Sequence, residues 1–262
     1  MQYSGAQEYE RLTPLENTRL WSAFRAMAED QTIVELRIIA LRSADDVARL
    51  VRRLQLISVV RHPSIRQVID IVPGDADHDS PFFVVESFTG ETLRVPWSHK
   101  SLTAGQTILL GMQIAGGLAE AHRCGVTAGK IFPDSIFERS ADKWALDLTK
   151  SLIWEMEGAA PEADSEEDVL ELCTLLKGLC NSKSSGSQSE EDCQWSDDDG
   201  TSKLTSGLLE ILDRGIHSDP FPRPSAEEVF VALKKTRCIA HGGGERRYRQ
   251  YAGRANAGRG ST

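Results

Sequence analysis

The stretch that most constrains what this chain can fold into runs from Gly125 to Ser151, GVTAGKIFPDSIFERSADKWALDLTKS. After a short apolar start at Val126 comes a loop holding Pro133. Ile136 and Phe137 are strand-like, Glu138 to Asp142 is a polar turn, and Trp144 to Leu146 is a second short strand. Apolar residues on either side of a polar turn predict a β-hairpin with one buried face. That hairpin delivers Asp147 at its end and sets one carboxylate beside the loop that precedes it.

The chain before this stretch reads mainly as strands. Tyr9 to Arg25 is two strand-like runs around a polar turn, and Thr32 to Leu41, TIVELRIIAL, is a strand rich in β-branched residues. Ile65 to Val72 and Pro81 to Phe88 are two more strands, separated by a polar turn, GDADHDS. Between Leu41 and Ile65, apolar residues at Val47, Leu50, Val51, Leu54 and Ile57 recur at near-helical spacing over Asp45 to Val60, with Ser43 or Asp45 as the cap. Later segments read as helices: Thr103 to His122, Asp168 to Cys180, Leu204 to Ile216, and the AEEVFVALKK run after Ser225.

Several of these pieces, in order, resemble the eukaryotic-type Ser/Thr protein kinase family in its bacterial form. A helix ends at His122 in H-x-x-G-V, a loop ends in P-x-x-I at Pro133 to Ile136, and a hairpin then leads to Asp147. That order is similar to the family's catalytic loop, hairpin and magnesium motif. The run FFVVESFTGETL resembles the last strand of the small lobe and the hinge, with Val85 at the gatekeeper position. Asp168 stands at the position of the family's buried helical aspartate, and the closing R-P-S recurs at Arg223 to Ser225, with Glu162 as the implied partner of Arg223. The resemblance covers about Tyr9 to Lys235. It implies an α+β, two-lobed kinase-like fold: a small antiparallel β lobe with the αC helix over residues 9–88, and a larger, mainly helical lobe over 89–240. An acidic, Ser-rich insertion at 181–203 is expected to be solvated or disordered, and a basic Gly/Arg-rich tail at 241–262 to be disordered.

The family's working side chains are largely replaced. Glu16, Thr18 and Trp21 fill the glycine positions of the phosphate loop. Trp21 is expected to pack between elements rather than stack on a ligand. Against H-R-D-L-K-P-x-N the chain reads Ala128 to Ser135, so Lys130 stands for the catalytic aspartate and Ser135 for the asparagine. Arg37 takes the lysine position and Arg53 the position of its glutamate partner; Leu148 and Thr149 follow Asp147 in place of Phe-Gly. Two like charges ~4 Å apart at an effective dielectric near 20 repel by roughly 4 kcal/mol. Arg37 and Arg53 therefore cannot sit as lysine and glutamate do unless the helix swings outward or an anion lies between them. Only Asp147 keeps its role, and its charge can be met by Lys130 or by Arg37. His62 and His122 lack a Ser, Cys or metal-type partner at useful spacing and read as structural.

These substitutions predict a pseudokinase, a module with no catalytic residues that acts in signalling through protein contacts. The implied nucleotide-binding positions are Glu86 and Phe88, whose main chain would meet adenine, and Asp147. No metal and no cofactor is expected beyond weak ATP binding. The alternative is a divergent Ser/Thr kinase or another phosphoryl or nucleotidyl transferase using Lys130 and Arg37 on phosphates; a third reading is an unrelated α+β protein. Expected partners are proteins such as an active kinase or another signalling protein. The formal charge of −9 and pI near 5.3 argue against a general nucleic-acid binder. Five cysteines without C-x-x-C favour a reducing compartment, and the absence of a long apolar run predicts a cytoplasmic protein without a membrane span. Ser187, Ser189 and Ser196 in the insertion are candidate phosphorylation sites.

Overall fold

The computed structural model describes residues 2–4, 8–74, 80–88, 90–94, 102, 104–156, 164–181, 208–217 and 223–237. Glu162, the insertion beyond Asn181 and the tail from His241 lie outside the described residues.

The N-terminal part is one antiparallel sheet. Its strands are β1 (Gln2–Ser4), β2 (Glu8–Asn17), β3 (Trp21–Ala28), β4 (Ile33–Ile39), β5 (Val68–Val72) and β6 (Phe82–Glu86), in the order β1-β2-β3-β4-β6-β5. The period of two sorts side chains onto two faces. Val34 and Leu36 of β4 join Phe82 and Val84 of β6, Ala26 and the buried ring of Tyr9 in a small core on one face. Trp21 and Ala23 of β3, Ile39 of β4, and Phe83 and Val85 of β6 belong to the main core on the other. Glu35 and Arg37, two apart on β4 and out of phase with Val34 and Leu36, fall on that main-core side.

Helix α1 (Ala44–Ser58) lies between β4 and β5 in sequence. The Ser43 hydroxyl accepts the Asp46 N–H at 3.4 Å, and Asp45 and Asp46 complement the positive end of the first turn. Leu50, Leu54 and Ile57 bury one face against the main core. Beyond the sheet come α2 (Ala104–Arg123), the hairpin β7 (Ile136–Ser140) and β8 (Lys143–Leu146), the short helix α3 (Leu152–Glu155), α4 (Ser165–Asn181), α5 (208–215) and α6 (226–237). The hairpin forms in the expected stretch, but Glu138 to Ser140, expected as part of the turn, pair with β8 as strand, and the turn shrinks to Ala141 and Asp142, the latter at φ 57°. The same main core continues through Ile114 and Leu118 of α2, Leu172 and Leu176 of α4, Leu212 of α5 and Leu233 of α6. The fold is thus α+β, an antiparallel sheet followed by a mainly helical part. Among the described residues no helix is long and apolar enough to cross a membrane.

Helix α5 approaches α4 so closely that a Cβ on Gly215 would lie 2.2 Å from Cys173 Sγ and 2.8 Å from its Cβ. Burial pushes the Cys173 thiol up to about 12, so the residue fills space and is not a nucleophile. Gly215→Ala is expected to destabilise the protein by roughly 1–3 kcal/mol through overpacking. A fall in Tm that is recovered when Cys173→Ala is added would confirm the clash; an unchanged Tm in the single variant would refute it.

Candidate functional site

The hairpin is pinned at both ends. Asp147 N–H donates to the Ser135 carbonyl at 2.8 Å, and Arg66 N–H donates to the Leu146 carbonyl at 2.8 Å. The loop before it is held by Asp168 at the start of α4. That fully buried carboxylate accepts the backbone N–H groups of Ala128 and Gly129, each at 2.7 Å, and lies 2.7 Å from His122 Nε2. Gly129 sits at φ +68°, which a side chain would strain. Ser135 is buried, and its hydroxyl donates to the Phe132 carbonyl at 2.7 Å while accepting the Phe132 N–H at 3.2 Å. Its polar atom therefore closes a local turn.

Asp147, 1% exposed, meets the inner face of the sheet. Its Oδ2 accepts from Arg37 Nη2 at 2.8 Å and from Arg66 Nη1 at 3.0 Å. Its Oδ1 accepts the Thr149 N–H at 3.0 Å and the Thr149 hydroxyl at 2.5 Å, and Arg37 Nη1 also donates to that hydroxyl oxygen. Glu35 closes the set, accepting Arg37 Nε and Arg66 Nη2, each at 2.6 Å. Two carboxylates and two guanidiniums thus form a neutral, buried, fully hydrogen-bonded cluster.

Aromatic rings wall this cluster. The Arg37 guanidinium lies 5.1 Å from the Trp21 ring and 5.7 Å from Phe83; that of Arg66 lies 5.1 Å from Phe88 and 5.0 Å from Phe137. Trp21 is fully buried and meets Phe83 edge-on at 5.4 Å, a packing role. Burial by itself would raise the Asp147 carboxyl, but Arg37, Arg66 and Lys150 hold it well below the usual carboxylate range. Glu35 is likewise lowered, its burial outweighed by Arg37 and Arg66. For Arg37 burial would weaken the charged form, and Asp147 and Glu35 raise it instead.

The positions expected to face a nucleotide are placed as follows. The Glu86 N–H donates to the Gln67 carbonyl at 2.9 Å, its carbonyl accepts Arg66 Nε at 2.8 Å, and its carboxylate pairs with Arg139. The Phe88 ring is used by Arg66 and also by Arg139, 5.2 Å away. Of the two candidates to meet Asp147, Arg37 does so. Lys130 is exposed, and its charge acts on Glu171. Arg53 does not face Arg37: its Nε and Nη2 pair with Glu155 at 3.0 and 2.8 Å. The opposition between the two arginines is thus resolved by pairing Arg53 with Glu155, while Arg37 shares Asp147 and Glu35 with Arg66.

Glu16, at a phosphate-loop glycine position, pairs with Lys150 at 2.5 and 2.7 Å, while the Thr18 hydroxyl accepts the Leu20 and Trp21 N–H groups. Arg49 and Arg19 donate to the carbonyls of Glu155 and Ile153 at 2.8 and 3.1 Å. The segment after Asp147 is thereby fastened to β2, α1 and the turn before β3. Two essential members of the buried cluster, Glu35 and Arg66, carry no assignment from the sequence. A signal for Glu35 existed: Glu35 and Arg37 are opposite charges two apart in an apolar strand, hence on one buried face. For Arg66 the strand-like run Ile65 to Val72, which also holds Gln67 and Asp70, gives no comparable signal.

Among the described residues no group of three or more His, Cys, Asp or Glu side chains is arranged to hold a metal ion. The sequence matches no protein-family model and no curated protein.

Proposed function

We propose that this chain is a kinase-like module that does not transfer phosphoryl groups and acts in signalling through contacts with other proteins. The observation that carries this reading is the saturation of Asp147. Both of its oxygens accept hydrogen bonds inside the protein, from Arg37, Arg66 and Thr149. A magnesium ion bridging nucleotide phosphates needs a free carboxylate oxygen at this position. Here it would have to displace a buried guanidinium and leave that charge unpaired. Lys130 and Ser135 replace the proton acceptor and the second metal ligand of the resembled family, and the Ser135 hydroxyl is committed to Phe132. The buried Asp168 that organises the central loop, and the order of sheet, hinge, loop and hairpin, favour the two-lobed kinase-like arrangement over an unrelated α+β fold.

The test is incorporation of label from γ-labelled ATP with magnesium and with manganese, on the chain itself and on a generic protein acceptor. No incorporation is expected, and incorporation above a heat-treated control would overturn the proposal. ATP with magnesium is also expected to leave Tm unchanged within about a degree. With ATP at about 5 mM, even a Kd of about 1 mM would stabilise by about 1 kcal/mol, or roughly 2–4 °C for a chain of this size. A shift of several degrees that vanished in Asp147→Asn would place nucleotide in the site and refute that expectation.

A further inference from the structure

Alongside the N-terminal half of α1 the surface opens into a groove of about 790 Å³. Its apolar lining comes from Val47 and Val51 on the helix, Leu41 before it, and Pro73 and Pro81 at the ends of β5 and β6. Among the described residues of the lining, Arg42 and Arg52 carry the only polar side chains, and both are exposed. Arg52 Nε donates to the Ala48 carbonyl at 3.2 Å, which holds the guanidinium at the helix surface. The volume falls within the range of roughly 300–1,000 Å³ typical of ligand-binding clefts, too large for a single ordered water and suited to one or two inserted side chains.

We propose that this groove docks a short segment of a partner protein, made of an aromatic or aliphatic anchor with acidic residues on one flank. This rests on reading the chain as a protein-binding module, and it adds the chemistry of the partner. The anchor follows from the apolar side chains of Leu41, Val47, Val51, Pro73 and Pro81, which make up most of the described lining. The acidic flank follows from the two arginines, and their placement assigns it to the α1 side. A lysine-rich ligand would oppose Arg42 and Arg52, and a purely apolar one would offer their charges no counter-charge.

The test uses the full chain and a fluorescein-labelled 12-residue peptide with a central Trp-Leu pair and four glutamates on one side. Two control peptides carry lysine for glutamate and alanine for the Trp-Leu pair. The acidic peptide is expected to bind at least tenfold more tightly than either control, and to weaken as salt is raised. Arg42→Glu with Arg52→Glu should cost at least tenfold for the acidic peptide and shift preference toward the lysine peptide. Ala48→Trp, at an exposed helical position lining the groove, should abolish binding by filling it. Unchanged melting curves of these variants would show that they fold. Equal binding of acidic and lysine peptides, undiminished binding to Ala48→Trp, or no saturable binding up to about 1 mM would each overturn the proposal. None of these results bears on phosphoryl transfer, so the groove can fail while the inert reading stands, and the reverse.

Discussion

Asp147→Asn is expected to cost roughly 3–5 kcal/mol, a large share of the net stability of an ordinary domain, because it leaves a buried guanidinium uncompensated. Arg37 is fully buried and Arg66 nearly so, and both converge on the same Asp147 oxygen. An asparagine matches the shape of aspartate and supplies neither the charge nor the second strong acceptor. Urea unfolding measures the effect: the midpoint should fall with little change in slope, as for a loss of stability without a change in exposed area. Removing both partners should be milder. In the double variant Arg37→Met with Asp147→Leu, Arg66 keeps Glu35 at 2.6 Å, so the remaining charges stay balanced. A single variant as stable as the parent, or a double variant less stable than the sum of the two singles, would refute the idea of a self-neutralising cluster.

The same cluster sets the acid limb of stability. Asp147 and Glu35 both titrate lower in the folded chain than in the unfolded one. The unfolded chain therefore binds protons first as pH falls. The stabilisation is fully present above the unfolded carboxylate values of about 3.9 and 4.3, and is lost progressively as pH drops below about 4. In Asp147→Asn the dependence on pH in that window should be shallower. A parallel decline in both proteins would show that other carboxylates govern acid unfolding.

Asp168→Ala is expected to cost roughly 2–6 kcal/mol, since two buried N–H groups lose their acceptor at about 1–3 kcal/mol each. The donors are Ala128 and Gly129, both at 2.7 Å, and His122 loses its partner as well. Asp168→Asn keeps one carbonyl oxygen and should cost less. Hydrogen exchange reads the consequence locally: amides of residues 126–131 should exchange much faster in Asp168→Ala, with Asp168→Asn between the two. Unchanged exchange in that loop would mean that the hairpin alone positions it. The rim pairs are expected to matter far less. Arg53 with Glu155 is part-exposed, and such a pair typically contributes about 0.2–1 kcal/mol.

The strands, the hairpin and α1 were legible in the sequence because each is set by a local signal. Ser43 caps α1, Leu50, Leu54 and Ile57 repeat along it, and the β-branched run of β4 alternates between two buried faces. The exit of the hairpin at Asp147, and Asp147 as the charged residue to watch, were likewise written in a stretch of fewer than thirty residues. What neutralises that carboxylate was not. Arg37 and Arg66 reach it from 110 and 81 positions away, and Arg53 finds Glu155 from 102. Periodicity and capping act over a few residues, whereas a buried charge is answered by whichever opposite charge the packed sheet and hairpin bring within hydrogen-bonding distance. The sequence by itself determined the elements and the surviving aspartate; the tertiary structure alone decided that Arg37, Arg66 and Glu35 would close around it, because an unpaired charge cannot stay in a core that excludes water.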